Sequence, residues 1–440
     1  MSYDELASIK VDGDRARVYE HGWQSWSPSG SYPVTVRSSY RPVRAVTQSQ
    51  SYRPEKPAPE TGFQGEGLLA VDPGTGDPVT VFGAAPDPTV PSIRASYVDG
   101  HVVVSADGPV GVTQSSTVDE GLAAWADGFA AGAGVGPIRP APTGWCSWYH
   151  YFTDVTAADV EENVAAIHER ELPVDVIQID DGWESEIGDW LTLSGRFESL
   201  EALVERIRAT GRRTGIWVAP FLVGANSRVY AEHRDWLIPG TLAGHNWEQD
   251  TYGLDTTHPG AQDYLRRVFT MLRDVGVDYY KIDFIYAGAL DGPRHSGADP
   301  LTAYRSGVEL IRETIGPAAY LLGCGAPILP SVGLFDAMRV SADIAPHWAP
   351  LDGDPALPSQ QGAVFSAIGR AFQHGRFWVN DPDCIVARPA VERREEWAEV
   401  VDRYGGLRVS SDRIADLDEW GMTTTRRLLS ETPPPAPFAL

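Results

Sequence analysis

The sequence predicts an α/β protein, a (β/α)8 TIM barrel over residues 136–430 behind a small β-rich domain over residues 1–135. Three observations predict it. From Gly144 onward short apolar runs alternate with helical stretches, the signature of βα units around a parallel sheet. Eight such runs fit within about 290 residues, a usual length for a barrel of this kind. Several of the runs end in acids, and the carboxyl ends of barrel strands are where binding and catalytic groups gather.

Before the barrel, short β-prone runs such as Arg17-Val18-Tyr19 and residues 102–104 lie between Gly, Pro and Ser clusters. Gly136, Pro137, Pro140 and Pro142 form a stiff connection. Strands are expected at 144–148, 174–180, 214–220, 279–284, 320–325, 337–343, 377–381 and 406–410. Helices are expected at 157–171, 200–212, 261–275, 303–315 and 391–404. The first is the clearest: Thr156 stands three residues ahead of Asp159 as a capping pair, and Val160, Val164, Ala165 and Ile167 share one stripe. A last helix runs through Arg427 and Leu429 before a Pro-rich tail, 431–440. An open doubly wound sheet is the rival, but no Gly-x-Gly-x-x-Gly follows any strand.

Composition narrows the class. With 42% hydrophobic and 22% charged residues the chain reads as globular. A net charge of −24 argues against nucleic acid and anionic membrane as partners and leaves a neutral ligand such as carbohydrate unaffected. The start, Met1 to Glu5, has no basic or apolar leader, so a cytoplasmic location is expected. Cys146, Cys324 and Cys384 are too few and too scattered for a disulfide framework or a CxxC zinc site. Lysine is almost absent, at Lys10, Lys56 and Lys281 only, which fits a salt-loving host or an arginine-rich codon bias equally.

The chemistry concentrates at the strand ends. In Tyr280-Lys281-Ile282-Asp283 the lysine and the acid stand two apart, so both project from one face of a strand. Asp343 closes the comparable segment Met338-Arg339-Val340-Ser341-Ala342-Asp343. Two acids on one sheet edge are the minimum apparatus for splitting a glycosidic bond, one attacking and one moving the proton. Retention of configuration would require the carboxyls to stand about 5 to 5.5 Å apart, inversion roughly 6.5 to 9.5 Å. Arg339 either meets a sugar hydroxyl or braces Asp343. Asp180 and Asp181 end the second strand and together suit two sugar hydroxyls; a metal site would want more acids or histidines at ligand spacing, and His150 and His347 are isolated. Of fourteen tryptophans, Trp183, Trp190, Trp217 and Trp348 are near polar strand ends and could stack on sugar faces.

These residues carry a resemblance. Gly144-Trp145-Cys146-Ser147-Trp148-Tyr149-His150-Tyr151, Gln178-Ile179-Asp180-Asp181, Gly215-Ile216-Trp217, Lys281-Ile282-Asp283-Phe284, Gly323-Cys324-Gly325, Arg339 with Asp343, and Asn380-Asp381-Pro382-Asp383-Cys384 occur in an order that resembles glycoside hydrolase family 36, the α-galactosidases related to melibiases. Trp23-Gln24-Ser25-Trp26 resembles a further motif of that family.

The resemblance implies an N-terminal β-sandwich over 1–135 and a retaining exo-α-galactosidase acting on sugars such as melibiose and raffinose, with no cofactor and no metal. It implies Asp283 as nucleophile and Asp343 as acid/base. Asp180 and Asp181 would hold the galactose 4- and 6-hydroxyls, Trp217 would wall the pocket, Lys281, Cys324 and Arg339 would line the sugar, and Trp26 would reach it from the sandwich. An α-N-acetylgalactosaminidase, a transglycosylase of the raffinose or stachyose synthase type and a non-catalytic carbohydrate-binding protein are the alternatives, and a homo-oligomer stays open. Two departures are expected: no C-terminal β-sandwich follows the barrel, and the N-terminal domain is smaller than in many relatives.

Overall fold

The computed structural model describes residues 2–36, 38, 41–42, 49–87 and 89–439. Near the N-terminus two antiparallel sheets face each other. One orders Asp4–Lys10, His101–Ala106, Ser92–Val98 and Phe63–Glu66; the other orders Gly30–Pro33, Arg17–Glu20, Leu68–Asp72, Val79–Gly83 and Gly111–Ser115. Alternate residues of both turn inward, so that Val18, Leu69, Val71 and Phe82 of one sheet meet Phe63, Ile93, Val102 and Val104 of the other. This is a β-sandwich. A helix the strand-rich reading did not anticipate, Val118–Gly132, follows it. Thr117 is its N-cap, with the hydroxyl accepting from the Glu120 N–H three residues on.

Eight parallel strands then run Gly144–Cys146, Val176–Ile179, Arg213–Val218, Val277–Ile282, Tyr320–Gly323, Ala337–Arg339, Val379–Asp381 and Val409–Ser410, each beside its sequence neighbour, with the eighth beside the first. At the seam between seventh and eighth, Ile385 bridges Ser410, and the Gly406 and Leu407 N–H groups donate to the Asn380 carbonyl. The expected (β/α)8 barrel is therefore present, with helices Ala157–Glu169, Leu200–Ala209, Pro259–Asp274, Pro300–Ile315, Gln360–Gly369, Arg394–Tyr404 and Glu419–Ser430 outside it. Thr156 and Asp159 form the expected capping box.

Several strands stop earlier than the sequence suggested. The sixth ends at Arg339, so Ser341, Ala342 and Asp343 lie in the loop beyond it rather than in the strand. The chain between the third strand and its helix also makes an excursion with no sequence forecast: Leu222–Gly224, Gln249–Leu254 and Leu237–Asn246 form a separate antiparallel sheet.

The sandwich meets the barrel through the loop that carries Trp23 to Trp26. Ser25 N–H donates to the Ala326 carbonyl at 3.0 Å, and Ile328 N–H to the Trp23 carbonyl at 2.9 Å. The buried Arg370 guanidinium takes the Gly22, Gln24 and Ser25 carbonyls together with that of Val340. Among the described residues no helix is long and apolar enough to cross a membrane.

Candidate active site

At the carboxyl end of the barrel a cavity of about 310 Å³ opens between the strand ends and the excursion, lined among others by Asp180, Asp181, Trp217, Lys281, Asp283 and Asp343. A larger cavity, about 460 Å³, lies at the other end of the barrel and holds Arg139, Arg305 and Arg312. Those guanidiniums are taken up by Asp336 and by backbone carbonyls, leaving that end without comparable chemistry.

The second strand delivers Asp180. Its Oδ2 accepts from Gln178 Nε2 at 2.6 Å and from Lys281 Nζ at 3.0 Å, and its Oδ1 from the Asp181 N–H at 3.0 Å. From the fourth strand, Lys281 stands 3.9 Å from Asp283 Oδ2, so one ammonium serves two acids. Burial would strip the proton from Lys281, but the carboxylates of Asp180 and Asp283 hold its pKa well above the usual lysine value.

Asp283 follows directly on the fourth strand. Trp217 Nε1 donates to its Oδ2 at 3.0 Å, and the Phe284 N–H to its Oδ1 at 2.7 Å. Phe284 makes that second bond by adopting a left-handed backbone, φ 50°. Such a conformation is unfavourable for a bulky residue and persists because the surroundings impose it.

Asp343 approaches from the loop after the sixth strand. Arg339 holds it: one terminal nitrogen donates to Asp343 Oδ1 at 2.8 Å, Nε to Asp381 at 3.2 Å, and the other terminal nitrogen lies 2.8 Å from Asp383. Tyr149 hydrogen-bonds Asp383 from the far side. The Asp343 side chain is 30% exposed and opens on the cavity. Withdrawal from bulk water pushes its carboxyl up to about 7; Arg339 opposes the rise, and Asp383 and Asp283 add to it.

Of the expected site residues, Asp180, Asp181, Trp217, Lys281, Asp283 and Asp343 converge on the cavity. Trp26, Cys324 and Arg339 do not line it. Trp26 packs edge-on against Phe284 with ring centroids 4.9 Å apart, so it backs the wall that Phe284 forms. Cys324 is fully buried beneath the acids, and Arg339 is 2% exposed with its donors turned to three aspartates. Arg339 thus sits as the brace that the sequence left open. Trp183 and Trp190 lie buried behind Trp217, and Trp348 lies under Arg393 at 3.8 Å, away from the cavity.

Sequence reasoning missed Trp247. It sits at the tip of the hairpin Leu237–Asn246 to Gln249–Leu254, in a two-residue turn where Trp247 and Glu248 have φ of 51° and 57°. Its indole N–H donates to Asp181 Oδ2 at 2.8 Å. The usual signal for such a turn is Asn-Gly, which is absent here. Among the described residues no cluster of His, Cys, Asp and Glu suits a metal ion.

The melibiase family profile matches residues 141–291, a span containing five of the six converging residues. Over nearly the whole chain the structure resembles that of an α-galactosidase from Thermus thermophilus, solved with p-nitrophenyl α-D-galactopyranoside: TM-score 0.80, 27% identity, 99% of this chain and 95% of that one. A glycoside hydrolase family 36 α-galactosidase of Geobacillus stearothermophilus shares the fold at TM-score 0.64 and 14% identity, over 96% of this chain and 61% of that one. In sequence, the α-galactosidase of Escherichia coli is 29% identical over 157 residues, 32% of this chain and 22% of that protein. A bifunctional α-galactosidase/sucrose kinase of Mediterraneibacter gnavus is 28% identical over 161 residues, 33% of this chain and 17% of its own length. The chain thus spans about a fifth of the length of the curated relatives it matches.

Proposed function

We propose that the chain is a retaining exo-α-galactosidase of the melibiase-like glycoside hydrolase family 36, the family to which its profile match and its structural likeness point. One observation carries the reading: Asp283, at the end of the fourth strand, and Asp343, in the loop after the sixth, reach one cavity beside the acceptor pair Asp180 and Asp181. Asp283 attacks the anomeric carbon while the bond to the leaving oxygen breaks. Asp343 gives that oxygen its proton, then takes one from the water that releases galactose. An acid poised near neutrality suits both halves of this cycle, and Asp343 is pushed up to about 7.

Asp180 and Asp181 accept from the 4- and 6-hydroxyls of the galactosyl unit. A sugar that cannot satisfy these buried acceptors is rejected, because an unpaired buried carboxylate is costly. Trp217 and Trp247 wall the pocket, and each indole N–H fixes one carboxylate. Phe284 completes the wall with Trp26 behind it, Cys324 lies buried beneath the acids, and Arg339 braces Asp343. Residues 1–135 form the sandwich module and 136–430 the catalytic barrel. The T. thermophilus enzyme has also been solved with stachyose, which supports raffinose-type oligosaccharides as substrates here.

The test is release of p-nitrophenol from its α-galactoside by the wild type and by Asp283→Ala, with and without azide. The reading expects activity in the wild type, loss in the variant, and recovery with azide as the β-galactosyl azide. Activity confined to the N-acetylgalactosaminide, or transfer without hydrolysis, would overturn it.

A further inference from the structure

The loop after the second strand brings a third carboxyl to the acceptor pair. Glu184 is 5% exposed, and its carboxyl lies within hydrogen-bonding reach of that of Asp181. The loop that carries it is anchored on both sides. Gly182, at φ 117°, leaves no room for a side chain, since a Cβ there would stand 2.6 Å from the Thr153 carbonyl oxygen. Ser194 Oγ and Arg196 both donate to the Gly182 carbonyl, Ser194 N–H donates to that of Trp183, and the Trp183 indole donates to that of Trp217.

Two carboxyls in contact and away from water cannot both be ionised, so one proton is shared between them. The surrounding charges do not replace that proton. Lys281 is directed to Asp180 and Asp283, Arg196 goes to a carbonyl, and Glu186 on the same loop is occupied by Gln249 and the Ile187 N–H. Asp180 and Asp283 add negative charge facing Asp181. Asp181 already receives the Trp247 indole N–H, whereas Glu184 Oε2 is buried with no hydrogen-bond donor directed to it. A proton on that oxygen turns it into a donor.

We propose that Glu184 is a positioning residue for the sugar-hydroxyl subsite: it keeps the proton of the pair, donates it to Asp181, and so fixes Asp181 as an acceptor. Burial supports this by raising both groups, Asp181 to about 6 and Glu184 well above the carboxylate range. With Trp247 on one side and Glu184 on the other, the lone pairs of Asp181 left over point to the ligand. The subsite rests on the α-galactosidase reading, but the proton on Glu184 does not.

Infrared difference spectra of wild type against Glu184→Gln, taken on the alkaline side of neutrality, should show a protonated carboxyl band present in the wild type and lost in the variant. In kinetics with p-nitrophenyl α-galactoside, Glu184→Leu should raise KM about tenfold above Glu184→Gln, the amide still donating to Asp181. The wild-type KM should climb at alkaline pH as the pair loses its proton, and that climb should vanish in Glu184→Gln. A band that survives the substitution overturns the proposal, as do equal KM values for the two variants at every pH. A lost band in an enzyme inactive on every α-galactoside would overturn the function and leave the proton in place. If Glu184→Gln does not fold, carboxyl-carbon titration of the wild type decides: one of the two carboxyls must stay protonated past neutrality.

Discussion

Arg339 donates to Asp343 Oδ1 at 2.8 Å while its other donors go to Asp381 and Asp383, which places the general-acid candidate at the end of a buried ionic fork. Replacing Arg339 by Met leaves Asp381 and Asp383 buried without their cation. Breaking a buried ionic set from one side costs about 3–5 kcal/mol. Urea unfolding should show a loss of that size, and retention of wild-type stability would deny the brace.

The same contact sets a pH limit. In the proposed mechanism Asp343 acts first as an acid, so kcat/KM should fall as pH rises through about 7 and the carboxyl loses its proton. Arg339 favours the ionised form, so removing its charge raises the Asp343 pKa and moves this limb to higher pH. Profiles of wild type and Arg339→Gln compare the two; a limb that stays put or moves down would contradict the assignment.

Glycine at 325 follows from crowding. At φ 52°, a Cβ there would stand 2.8 Å from the Phe284 backbone nitrogen and 2.9 Å from the Trp26 ring. Gly325→Ala should displace Phe284, weaken its N–H bond to Asp283, and cost about 1–3 kcal/mol of stability. Thermal unfolding, together with KM for an α-galactoside, checks both effects.

Trp247 and Glu248 hold left-handed conformations at the hairpin tip. Glu248→Gly relieves one of them and should stabilise the protein by about 1 kcal/mol, read as a rise in unfolding midpoint. Trp247→Phe keeps a ring but removes the N–H on Asp181, so KM should rise about tenfold with a smaller change in kcat.

Most of the barrel was legible because each strand is an apolar run ending in polar residues, and period and punctuation carry that signal. Asp283 and Asp343 were legible for the same reason, although Asp343 proved to stand four residues past its strand. Trp247 and Glu184 were not. Both act from loops held by long-range contacts, and neither the Trp-Glu turn nor an acid three residues after Asp181 has a periodic signature. The side of the fork that Arg339 serves was equally hidden, since an arginine four residues before an acid suits a ligand and a neighbour alike.

Arg370 binds three carbonyls of the sandwich loop and one of the barrel with a single guanidinium. Pulling the modules apart would leave a cation stranded inside protein, so neither half has a low-energy way to come loose by itself. Heating should therefore give one calorimetric transition, with sandwich and barrel melting together. A barrel expressed without residues 1–135 would lack the partners of Arg370 and the backing of Phe284, and a catalytic wall would go with them.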